Sequence, residues 1–203
     1  MVTGSQGAGK TILLTKYAYA SYKAGQKVYS NYKLNFPHEK LDFKRMMKCE
    51  YNNATIVISE AHNWGLNSRD AMKEPNKSLV RSFIPQIRKQ GVTLFLDTQR
   101  WNLVDKALRL QAEIWIMCRK TALINNKWTE VFQSHQYPKD TPINIEADYT
   151  FLDSEKSYTD VFRANPFYEL YDTKEAITTL EYTDDKTKTK TKKKINKEEV
   201  IKT

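Results

Sequence analysis

The eight residues Gly4-Ser5-Gln6-Gly7-Ala8-Gly9-Lys10-Thr11 constrain this chain more than any other feature. A loop that curls around a row of phosphates must turn several backbone N–H groups inward, and small residues at Gly4, Gly7, Ala8 and Gly9 leave room for that. The helix that follows adds the positive end of its dipole. Lys10 then brings a point charge to the β and γ phosphates, and the Thr11 hydroxyl is a ligand for Mg²⁺. A glycine-rich turn without a ligand is the competing reading. From average residue usage the full pattern arises by chance in roughly one chain in a hundred of this length, which disfavours it. ATP and Mg²⁺ are therefore the expected cofactors, held by Gly4 to Thr11.

Strands and helices alternate around this loop. Leu13, Leu14, Tyr17, Ala18 and Tyr22 recur at helical spacing, with Gly25 as a left-handed stop. Val28 to Leu34 reads as a strand, Phe43 to Met47 as a short helix, and Ala54 to Ile58 as a strand buried on both faces. Asn63 to Lys77 is polar and loop-like. Leu79, Phe83 and Ile87 mark a helix that Pro85 is expected to kink and Gly91 to end. Val92 to Leu96 and Glu113 to Cys118 are further strands, separated by a helix that Asn102 and Asp105 cap and that ends at Leu110. The pattern predicts an α/β fold: a mostly parallel central sheet with helices on both faces and ligand at the carboxyl ends of the strands. The first strand is short, since Met1, Val2 and Thr3 alone precede the loop; either the start lies late or the sheet tolerates a stub. Residues 1–120 read as the core, 121–183 as an extension packed on it with a hairpin over Lys127 to Gln136, and 184–203 as a disordered Lys-rich tail.

Three further elements carry chemistry. Ile56-Val57-Ile58-Ser59-Glu60-Ala61-His62 is an apolar strand running into polar residues, the place where such enzymes hold the metal and polarise water. Glu60 is the expected general base. Ser59 stands where an aspartate is usual, so it meets Mg²⁺ through a water and adds no charge. His62 reads as structural. At the end of the next strand, Gln99 is expected to face the γ-phosphate, whereas Asp97 is ambiguous: it lies near the metal or points away from Thr98. Phosphoryl transfer also gains from an arginine brought by a neighbouring subunit. Arg81, Arg88, Arg100 and Arg109 fall in the relevant stretch, with Arg88 first and Arg109 second; both also suit a helix C-terminus for local reasons alone.

The net charge of +9 favours a polyanionic partner, since basic surfaces gain affinity by releasing counterions from phosphates. Eight lysines and four acidic residues lie between Asp184 and Thr203, so much of the excess sits in the tail. Cys49 and Cys118 form no metal-binding or disulfide pattern, and no apolar run is long enough to cross a bilayer. A cytoplasmic protein without a membrane span is expected, in a host cell if it is viral.

The block Ser82-Phe83-Ile84-Pro85-Gln86-Ile87-Arg88-Lys89-Gln90-Gly91-Val92, followed by Asp97-Thr98-Gln99 and Val104-Asp105-Lys106-Ala107-Leu108-Arg109, resembles the FtsK/HerA class of DNA-pumping ATPases. Within that class the chain is similar to zonula occludens toxin-like ATPases of archaeal viruses and plasmids and to viral genome-packaging ATPases, over about residues 1–120. The resemblance implies a RecA-like core and a ring oligomer, commonly a hexamer, with ATP between subunits and double-stranded DNA as substrate. It also implies Glu60 as base, Gln99 as sensor and an arginine acting in trans. A capsid protein is a further expected partner. Filamentous-phage members carry a membrane segment not seen here, which favours packaging. The alternatives are a phage assembly or secretion ATPase acting on a protein, and a plasmid DNA-transfer ATPase.

Overall fold

Apolar runs of strand length form the middle of one sheet, and the glycine-rich loop leaves that sheet at its centre. In a computed structural model, the described residues are 1–67, 83–120, 123–124, 127–128, 130–138, 143–144, 150–151 and 158–172. In chain order the sheet strands are β1 (Val2–Thr3), β2 (Lys27–Ser30), β3 (Glu39–Lys40), β4 (Ala54–Ile58), β5 (Thr93–Thr98) and β6 (Ile114–Lys120). Two short strands, β7 (Leu123–Ile124) and β8 (Lys127–Trp128), pair with each other, and β9 (Val131–Pro138) returns to the sheet. The short pair β10 (Ile143–Asn144) and β11 (Thr150–Phe151) follows, then β12 (Tyr158–Arg163) at the sheet's far edge. The order across the sheet is β12-β9-β6-β1-β5-β4-β2-β3. The first six strands run parallel; β9 pairs antiparallel with β6, and β12 pairs antiparallel with β9 and so runs in the direction of the first six.

Side chains alternate between faces along a strand. Ile56 and Ile58 of β4 therefore pack with Leu96 against helix α2 (Phe43–Met47), Trp64, Ile84 and Leu108. Val57 points the other way, joining Val28, Ile116 and Cys118 beneath helix α1 (Lys10–Lys23). Two cores on two sides explain why β4 is apolar at nearly every position. The expected α/β fold with helices on both faces is what the structure shows.

One local expectation changes, and another lies partly outside the described residues. Pro85 stands in a short helix, Ile84–Gln86, preceded by Phe83 with helical backbone angles, and the run from Leu79 in which a kink is expected begins before the described residues resume. Leu79 and Arg81 lie outside the described residues. The single hairpin over Lys127 to Gln136 is instead two pairings. Lys127–Trp128 turns back on Leu123–Ile124, while Val131–Pro138 pairs with β6 along seven residues, from Ile114↔Pro138 to Lys120↔Phe132. Phe132 and Tyr137 are buried in that position, so burial outweighs the local turn.

β1 sits between β5 and β6. Val2 lies opposite Asp97 and Ile116, and Thr3 opposite Thr98 and Met117. Upstream of that register β5 and β6 part, leaving a cavity of about 720 Å³ with Met1, Tyr17, Leu94, Phe95 and Ile114 in its walls. The Met1 amino group donates to the Ile114 carbonyl at 2.6 Å, and the Met1 carbonyl accepts from the Ile116 N–H at 2.8 Å. Among the described residues no helix is long and apolar enough to cross a membrane.

Candidate nucleotide-binding site

The loop follows β1 and ends where α1 begins, at Lys10. Gly4, Gly7 and Gly9 hold φ values of 150°, 74° and 88°, a region that L side chains avoid. Crowding adds to this at Gly4, where a Cβ would stand 2.5 Å from the Cys118 carbonyl oxygen. Strand β6 thus presses on the start of the loop and, through the Phe132 ring beside Gly9, β9 presses on its end. Lys10 is only 6% exposed, and its Nζ donates to the Ser5 carbonyl at 3.1 Å. An ammonium has three donors, and burying it is costly unless they are met. Phosphate oxygens in the loop are the partners that this arrangement suits.

Beside the loop, three oxygens converge. Thr11 Oγ1 is 3.3 Å from Ser59 Oγ and 3.5 Å from Asp97 Oδ2, and Ser59 donates to that same Oδ2 at 2.9 Å. Asp97 Oδ1 accepts the Glu60 N–H at 2.7 Å. Ser59 is pinned from the other side by Asn31, whose amide donates to its carbonyl at 2.9 Å and accepts its N–H at 2.8 Å. Asp97 and Ser59 are fully buried. Burial pushes the Asp97 carboxyl up from 3.8 to about 6, against the Glu60 N–H and Ser59 hydroxyl that favour its charged form. Two hydroxyls and one carboxylate form a hard oxygen donor set of the kind Mg²⁺ takes while keeping several waters and phosphate oxygens. No set of three or more His, Cys, Asp or Glu that would cage a metal by protein alone occurs among the described residues.

Glu60 has φ 51°, a strained value for a residue with a side chain, and its turn is held by Asp97 through both the Glu60 and Ala61 N–H groups. Its Oε2 lies 3.4 Å from His62 Nε2, and His62 Nδ1 lies 3.3 Å from Thr98 Oγ1. His62, read from sequence as structural, links the expected base to the end of β5. Gln99 follows in an exposed bend at the same end of the sheet.

The arginines lie elsewhere. Arg88 precedes β5, at the amino ends of the strands, where it is exposed and 3.6 Å from Glu113. It does not meet the loop of its own chain. Arg109 lies in the last turn of the helix Lys106–Leu110, and its Nε is buried without a hydrogen-bond partner among the described residues. The structure thus brings together Lys10, Thr11, Ser59 and Glu60, adds Asp97 and Asn31, and leaves Arg88 apart. Asp97 had a signal in the sequence: a carboxylate at the end of an apolar strand, in a chain whose preceding strand lacks one. Asn31 had none, because its role is in backbone contacts with a residue 28 positions away.

Residues 1–146 match the family described as Zonular occludens toxin (Zot). No curated protein matches the sequence. The N-terminal domain of zonular occludens toxin from Neisseria meningitidis superposes with a TM-score of 0.58 at 19% identity, covering 84% of this chain and 96% of that one. The genome packaging NTPase B204 from Sulfolobus turreted icosahedral virus 2, in complex with ATP-gammaS, gives 0.47 at 12% identity over 80% and 95%. Flagellar accessory protein FlaH from Methanocaldococcus jannaschii gives 0.49 at 12% identity over 80% and 83%. With its glycine-rich loop at the centre of a parallel sheet and more than half of its length matched, the chain belongs to the Zot family.

Proposed function

We propose that this chain hydrolyses ATP with Mg²⁺ and uses the energy to move double-stranded DNA, as the motor that packages a viral genome. The observation that carries the ATP reading is the buried Lys10, with one backbone acceptor, in a loop whose glycines hold three positive φ values next to the Thr11 and Ser59 hydroxyls. Gly4 to Thr11 bind the phosphates; Thr11, and Ser59 through a water, hold the metal, which when bound offsets the negative charge on the phosphate oxygens. Glu60 accepts the proton of the attacking water, and the exposed Gln99 at the end of β5 orients that water or senses the γ-phosphate. The DNA reading rests on the net charge of +9 and on the resemblance to DNA pumps.

The expected result is ATP hydrolysis that duplex DNA stimulates several-fold at low salt, the stimulation fading as salt rises through a few hundred millimolar. Phosphate release measured with and without DNA across a salt series checks it. Equal rates throughout would remove the DNA reading and favour a motor that acts on a protein, such as one for phage assembly or secretion.

A ring, commonly a hexamer, is part of the same proposal, because Arg88 reaches phosphates only from a neighbouring subunit. Mixing Arg88→Ala with Lys10→Ala subunits, each inactive alone, is expected to restore part of the hydrolysis, since some interfaces then pair an intact loop with an intact arginine. No recovery at any ratio would move the role to Arg109.

A further inference from the structure

In ATPases with this loop, the metal is held by the loop's Ser or Thr together with an aspartate at the end of a neighbouring strand. Here the position after Ile58 is Ser59, which carries no charge. The charge is nevertheless present one strand over. Asp97 is the penultimate residue of β5, which pairs with β4, and its Oδ2 is 2.9 Å from Ser59 Oγ and 3.5 Å from Thr11 Oγ1. We propose that the metal-binding carboxylate of this site has moved from β4 to β5: Asp97 supplies the charge, and Ser59 is the hydroxyl that relays or orients it.

Geometry supports this over a purely structural role. Oδ1 is taken by the Glu60 N–H at 2.7 Å, which fixes the carboxylate plane and turns Oδ2 towards the two hydroxyls. A side chain needed only to brace the Glu60 turn would use Oδ1 and the Asp97 main chain, which already accepts from the Ala61 N–H at 2.9 Å. Among the described residues Oδ2 accepts from hydroxyls alone, its residue is fully buried, and the Lys10 ammonium acts on it without a hydrogen bond. An ionised carboxylate held that way has no cation in contact, and a metal between it and Thr11 would supply one. The same exchange explains Ser59: an aspartate there would set two carboxylates against each other.

This inference rests on the reading of Gly4 to Thr11 as an ATP site, and the test separates the two. Binding of a fluorescent ATP analogue is measured with Mg²⁺ and with EDTA for the wild type, Asp97→Asn, Ser59→Asp, and the exchanged pair Ser59→Asp with Asp97→Ser. Electron paramagnetic resonance of Mn²⁺ counts the ions bound with nucleotide. The wild type is expected to bind more tightly with Mg²⁺. Asp97→Asn should lose most of that gain, about tenfold or more, while binding in EDTA stays within a few-fold. Ser59→Asp alone should also bind Mg²⁺-nucleotide less well, and the exchanged pair should recover most of the gain and one bound Mn²⁺. A full Mg²⁺ gain in Asp97→Asn overturns the proposal. If Asp97→Asn fails to fold, the exchanged pair decides: folded protein without the gain overturns it, and folded protein with the gain sustains it. Absence of nucleotide binding by the wild type under either condition removes the ATP site itself, and the carboxylate proposal with it.

Discussion

Glu60→Gln is expected to bind ATP as the wild type does and to hydrolyse it about 10²–10⁴ times more slowly, the loss typical of a removed general base. That corresponds to roughly 3–5 kcal/mol of barrier. Gln keeps the size of Glu, and the turn around residue 60 is held through backbone atoms, by Asp97 Oδ1 and by the Asp97 carbonyl. The strained φ of 51° should therefore survive the change, leaving the proton acceptor as what is lost. Equilibrium binding beside steady-state phosphate release checks this. An unchanged turnover number would take Glu60 out of the mechanism and turn attention to His62, 3.4 Å away.

Gly4→Ala is expected to have the largest effect on stability of any single-methyl change in the loop. The φ of 150° is unfavourable for alanine, and the new Cβ would stand 2.5 Å from the Cys118 carbonyl oxygen. A backbone atom in the middle of β6 cannot swing aside, so the loop or the strand must shift. Strain and crowding together suggest about 3 kcal/mol, a melting temperature lower by roughly 6–12 °C in a chain of this size. Gly7→Ala is the control. Its φ of 74° is also strained, but no atom lies within 4 Å of the added Cβ, so about 1 kcal/mol is expected. Thermal melts of both variants decide the matter. Equal losses would show that backbone strain dominates, and a wild-type melt for Gly4→Ala would show that β6 gives way.

What was legible in the sequence follows from how local each cause is. The phosphate loop needs small residues in an unbroken run, so it can be read directly. Ala54–Ile58 and Phe43–Met47 have the bounds that apolar content and length imply, and Asp105 caps its helix through the Ala107 N–H. Asp97 was harder because its partners are 38 and 86 residues away. Alternation along β5 did separate it from Thr98: Asp97 turns to the loop, Thr98 to His62. Reading it as the missing charge required knowing that β4 and β5 are neighbours. The places of β9 and β12 were also hidden, since pairing along a sheet edge is set by the strand already there and not by any turn signal.

β1 runs between two parts of the sheet that both reach the loop. One half of the sheet, β5-β4-β2-β3, carries Asp97, Ser59 and Glu60; the other, β6-β9-β12, carries Cys118 and Phe132, which press on the loop. Among the sheet strands, Val2 and Thr3 are the seam that joins these two plates, beside an open cavity. The loop is the direct continuation of that seam. Residues from both sides of β1 thus meet on the loop, so a shift of one side of the sheet against the other would be felt at Gly4, Gly9, Ser59 and Asp97 together.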